Sequence, residues 1–179
     1  MSYYTSERVL MENERESRIS HFRLWVLIVV PLLAILFQLY VPFYIKFLQY
    51  LDVPLLVTIY FAMMRRSQLG GLAIGMVLGL AQDSLSSNPV GMFGICRTVI
   101  GYIAASLALR IDVEHPMIRM LVTFCFYLLD QGLLWLLERS LLRLQPLFDL
   151  KQALLLALLN AVVGVALFHF LDRLKQLQR

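Results

Sequence analysis

Charge is what this chain has least of: Asp, Glu, Lys and Arg make up 16% of its 179 residues, against 60% hydrophobic residues. With a mean hydropathy of +0.73, the composition excludes a single soluble core. Cysteine is nearly absent. Cys96 and Cys125 both sit inside apolar runs, as small buried side chains rather than a disulfide framework or a metal pair. The three histidines, His21, His115 and His169, show no paired helical spacing and so no metal site. They also fall at the opposite end of the predicted spans from Asp83, Ser84, Ser86 and Ser87, so no serine-histidine-acid constellation can assemble. Gly75, Gly79 and Asp83 look superficially like the glycine and paired aspartates of metal-dependent phosphotransferases, but Ser87 stands where the second carboxylate would be. Nothing in the sequence calls for a cofactor, and an enzyme is the least supported class. A net charge of +4 and a pI of about 9.3 bear on orientation and lipid headgroups in so apolar a chain, not on nucleic acid.

What is present is a series of long apolar runs. Six spans of about 20 residues would fill roughly 120 positions, which predicts an all-α membrane protein of six transmembrane helices with almost nothing outside the bilayer. Residues 1–23 form a charged N-terminal arm and residues 172–179 a short tail; the six-helix domain lies between, over residues 24–171. The arm's charges balance and it has few apolar residues, so it reads as a solvated segment that orders on a partner. No small-x-small cleavage site follows the first run, which therefore reads as a retained anchor. The spans are Leu24 to about Tyr40, Phe47 to Met64, Leu69 to Ala81, Gly91 to Leu109, Met117 to Leu137 and Leu150 to Leu171. The second starts near Phe47 because Val53 to Met64 alone rises only about 18 Å. That choice puts Asp52 and Pro54 in its first turns. Residues Arg65 to Gln68 make a tight turn, and Gln82 to Pro89 a polar loop. An arrangement with both termini cytoplasmic puts eleven Lys and Arg inside and four outside, with Arg97 left within the fourth span. This division obeys the preference of short cytoplasmic loops for basic residues.

Gly71, Gly75, Gly79 and Asp83 recur every fourth residue and share one face of the third helix. On the fourth, Gly94, Thr98, Gly101, Ala105 and Ala108 form an answering small-residue stripe. Helices in lipid associate through close packing and polar contacts, so the two spans are expected to pack face to face. The sharper alternative is that part of the glycine face docks another protein's helix. Arg97 and Asp130 lie at similar depth and pair as the leading reading, with Asp83 the competing partner for Arg97. Thr123, Tyr127, Asp130 and Asn160 line a small polar interior, expected to hydrogen-bond among themselves rather than hold a ligand. Between Glu138 and Asp149, Arg139 and Arg143 alternate with Leu141, Leu144 and Phe148, the pattern of an interfacial helix facing lipid or an extracytoplasmic partner.

The run Gly75-Met76-Val77-Leu78-Gly79-Leu80-Ala81-Gln82-Asp83, the polar loop after it and Gly91 resemble the MreD family of bacterial rod-shape-determining membrane proteins. The short aromatic-containing span from Leu55 to Arg66 fits the same pattern, as do Asn160 in the last span and the basic residues Arg173, Lys175 and Arg179. The N-terminal arm departs from it in being longer and more charged. The resemblance implies a non-enzymatic subunit of the cell-elongation machinery in the bacterial inner membrane, similar in architecture to the substrate-binding subunits of energy-coupling-factor vitamin transporters. It further implies partnership with MreC, with the MreB filament and with a RodA-type glycosyltransferase and its transpeptidase. It carries no catalytic residues, and assigns Gly75, Gly79, Asp83 and Gly91 to packing and loop shaping. The chain is thus expected to scaffold peptidoglycan synthesis, either alone or as a homodimer. A vitamin-binding transporter subunit is the second reading. Such subunits dock their motor through alanines four apart in the first helix, and the first span here offers Ala34 alone.

Overall fold

The computed structural model describes residues 24–44, 46–86, 91–111, 113, 115–141 and 149–176. Among these are six α-helices and no strand: α1 (Leu24–Tyr44), α2 (Val53–Arg65), α3 (Gln68–Leu85), α4 (Met92–Ala108), α5 (Pro116–Leu141) and α6 (Leu150–Gln176). A 3-10 turn, Lys46–Tyr50, links α1 to α2. Two stretches, Pro116–Ser140 and Leu150–Leu174, are long and apolar enough to cross a membrane, while Trp25–Val41, Val53–Arg65 and Met92–Ala108 are shorter apolar helices. The N-terminal arm and the stretch with Leu144 and Phe148 lie outside the described residues, and Leu141 is the last residue of α5.

The second span departs most from expectation, because α2 starts at Val53 and not near Phe47. Pro54 falls in its first turn, where the missing N–H costs nothing; in a helix begun at Phe47 its ring would strike the carbonyl of Tyr50. Asp52 sits at the N-cap instead and accepts the Leu55 amide at 3.1 Å. At 13 residues α2 rises about 20 Å, short of a bilayer, yet every residue from Pro54 to Met63 is buried. A helix apolar all round belongs in an interior. Here α2 is the core around which α1, α3, α4, α5 and α6 are arranged, and Tyr60 and Phe168 pack with ring centroids 5.3 Å apart.

Arg66, in the left-handed region at φ 48°, ends α2, and Ser67 opens α3 by accepting the Gly70 amide at 3.3 Å. The expected polar turn thus closes in two residues. The helices overrun the apolar runs that announced them. α3 continues past Ala81 to Leu85 and so carries Asp83, as its spacing from Gly79 predicts, and α6 reaches Gln176, so Asp172 and Arg173 are helical. Hydropathy falls at the first polar residue, but backbone hydrogen bonding does not stop there.

Candidate functional site

The closest helix pair is α3 with α4, and the glycine row lies inside it. A β-carbon on Gly71 would come within 2.8 Å of Ala105 Cβ, one on Gly79 within 2.7 Å of Gly94 Cα, and one on Gly75 would run into the Arg97 carbonyl. Gly101 meets Gly71 in the same way. With the two backbones touching along this line, the face is occupied by the chain's own α4 and has no room for another protein's helix.

Asp83 completes the hairpin. Its Oδ2 accepts the amides of Gly91 at 3.0 Å and Gly94 at 2.8 Å, and its Oδ1 that of Phe93 at 3.1 Å. Gly91, the N-cap of α4, has no side chain to serve these donors and sits at φ 102°, where other residues are strained. A buried carboxylate from the preceding helix therefore caps α4, on amides that favour an anion. Asp83 is committed to that task and is not the partner of Arg97.

Arg97 is wholly buried, and its nearest carboxylate is Asp52. Nη2 donates to Asp52 Oδ1 at 2.7 Å and Oδ2 at 2.6 Å, and reaches Gln82 Oε1 at 3.3 Å. Asp130, the expected partner, lies farther off: its Oδ1 is 3.8 Å from Arg97 Nη1, and neither of its oxygens accepts a hydrogen bond. The sequence pairs Arg97 with Asp130 by depth and puts Asp52 in the first turns of a longer span. As an N-cap it is held at the helix end with its carboxylate aimed inward. The Asp52 amide donates to Asn160 Oδ1 at 2.9 Å, and Asn160 Nδ2 donates to the carbonyls of Tyr50 and Leu156, each at 2.9 Å. Gln38 Oε1 accepts the Val53 amide at 3.3 Å. One polar cluster thereby joins α1, the 3-10 turn, α2, α3, α4, α5 and α6.

The expected bonding among Thr123, Tyr127, Asp130 and Asn160 is not how these groups are used. Thr123 Oγ1 donates to the Arg119 carbonyl at 2.7 Å within α5, and Asn160 serves the segment before α2. A second cluster at the opposite end of α2 went unseen in the sequence. Arg119 Nη1 donates to Asp172 Oδ2 at 2.5 Å, its Nε to the Val113 carbonyl at 2.8 Å, and Tyr60 Oη to Asp172 Oδ1 at 2.8 Å. In the sequence Asp172 falls in the short tail and Arg119 at the cytoplasmic end of the fifth span, where charges need no partner. Only the extension of α6 past Leu171 showed that Asp172 faces the bundle. Chemically the two clusters are electrostatic clasps: permanent cations held against carboxylates from other helices.

A family model for the rod shape-determining protein MreD matches residues 18–175. The chain belongs to the MreD family. No curated protein and no solved structure matches it. Membership of the MreD family places the chain among membrane proteins and ties it to determination of rod shape. The Gly75, Gly79 and Asp83 series and Gly91 are, in this MreD-family chain, the parts of one α3–α4 hairpin, two close backbones and a carboxylate cap.

Proposed function

We propose that this chain is a non-enzymatic scaffold of the cell-elongation complex, spanning the bacterial inner membrane six times with both termini cytoplasmic. It binds MreC and, through it, positions the RodA-type glycosyltransferase and its transpeptidase, with MreB filaments or lipid on the Arg-rich inner side. The observation that carries this reading is the use made of the buried charges among the described residues. Asp83, Arg97, Arg119 and Asp130 all face groups of this same chain, as in a molecule whose interior maintains its shape. What remains for partners is the outside. Since the glycine face is closed, the MreC contact is assigned to the end of α3 at Leu85 and the start of α6 at Leu150, two exposed residues.

Photo-crosslinking residues placed at Leu85 and at Leu150 in living cells test this. The expected adduct is MreC at one or both positions, lost in cells lacking MreC. Adducts spread over unrelated membrane proteins would overturn the assignment. A vitamin recovered in stoichiometric amount with the purified protein, raising its melting temperature when added back, would put the transporter-subunit reading in its place.

A further inference from the structure

Between α1 and α3 runs an apolar groove enclosing about 350 Å³. Its walls are Leu27, Pro31 and Ile35 on one side and Ala73, Val77 and Leu78 on the other. Pro31 brings no amide to its own helix, so the Leu27 carbonyl beside the groove loses its intrahelical partner. Arg65 and Gly70 close one end, and the groove extends along α3 to Ala81. Eleven residues of helix rise about 17 Å, close to half of the ~30 Å hydrocarbon thickness. An apolar cavity of about 150 Å³ accepts a benzene, so this one has room for roughly a dozen carbons in file.

We propose that this groove holds an acyl chain of an anionic phospholipid, with the lipid phosphate on Arg65. Charge and shape agree on that occupant. Arg65 is exposed and makes no ion pair with any described residue, and its stem lies over Gly70, with Cδ 3.8 Å from where a β-carbon would stand. Arg66 is the next residue, so two cations stand at the one polar end of an otherwise apolar slot. A lipid tail gains van der Waals contact in the slot while its phosphate gains a charge-assisted hydrogen bond. The proposal concerns the lipid-facing surface and does not depend on which protein the chain scaffolds.

The test is native mass spectrometry of the full-length protein released from micelles containing equal amounts of phosphatidylglycerol and phosphatidylcholine with the same acyl chains. Phosphatidylglycerol adducts are expected to exceed phosphatidylcholine adducts about fivefold, the preference of one basic residue for an anionic lipid. Arg65→Gln is expected to remove the preference, and Arg110→Gln, at another exposed cation, to leave it intact. Ala73→Phe, which fills the groove from an exposed position, is expected to lower both adducts without shifting the melting temperature. Equal retention of the two lipids, or a preference that survives Arg65→Gln, overturns the proposal. So does a gain of lipid adducts when residues 1–23 are deleted, which would show the chain's own arm in the slot, or a crosslink from Val77 to a partner's helix in cells.

Discussion

At the residue scale, the two carboxylates near Arg97 have unequal roles. Asp52 accepts both of the guanidinium's short contacts and caps α2, whereas Asp130 stands 3.8 Å away with its oxygens unbonded. Breaking a buried ion pair by removing one partner costs about 3–5 kcal/mol, because the other charge is left uncompensated. Asp52→Ala is therefore expected to cost about that much in detergent unfolding. Asp130→Asn leaves Arg97 with Asp52 and removes an unbonded buried charge, so its midpoint should stay within about 1 kcal/mol of the native protein or rise. The opposite ranking would return the principal pairing to Asp130. Asp83 offers a second check. Asp83→Ala strands the amides of Gly91, Phe93 and Gly94, at about 1–3 kcal/mol for each donor left without an acceptor. Asp83→Asn, which keeps one acceptor oxygen, should lose less by the same measurement.

At the scale of elements, glycines of one type of residue have opposite meanings. Gly75 on α3 has the Arg97 carbonyl where a β-carbon would be, while Gly132 on α5 has nothing within 4 Å of that position. Gly75→Ala must push α4 away, and overpacking of this kind costs about 1–3 kcal/mol. Gly132→Ala meets no obstacle and should raise stability by about 0.5–1 kcal/mol through reduced backbone freedom in the unfolded chain. Thermal melts of the two variants are expected to move in opposite directions. The row of glycines was legible in the sequence because spacing by four specifies one helix face. The start of α2 was not, because a full transmembrane length was demanded of a short helix buried among its neighbours from Pro54 to Met63.

At the scale of the whole molecule, the two clasps sit at opposite ends of α2 and tie it to its neighbours, Asp52 with Arg97 and Asn160 at one end and Tyr60 with Asp172 and Arg119 at the other. The bundle should then lose its structure in one transition, with tryptophan fluorescence and circular dichroism reporting the same midpoint; separated midpoints would show that α5 and α6 detach by themselves. The Lys and Arg distribution makes a further prediction. Tags at both termini should be accessible to a protease only after the inner face of the membrane is opened.

The sequence by itself determined that this chain is a helical membrane protein, that α3 and α4 meet through small residues, and that Arg97 needs a buried carboxylate. Each of these follows from composition or from periodicity along a single helix. Only the tertiary structure decided which carboxylate that is, that α2 is the core, that Asp172 turns inward to Arg119, and that α1 and α3 leave a slot between them. Spacing along a helix gives the face a residue occupies and its height, but not which helix stands opposite. That choice depends on how six helices divide the space around one another, and it is set by packing among residues far apart in the chain.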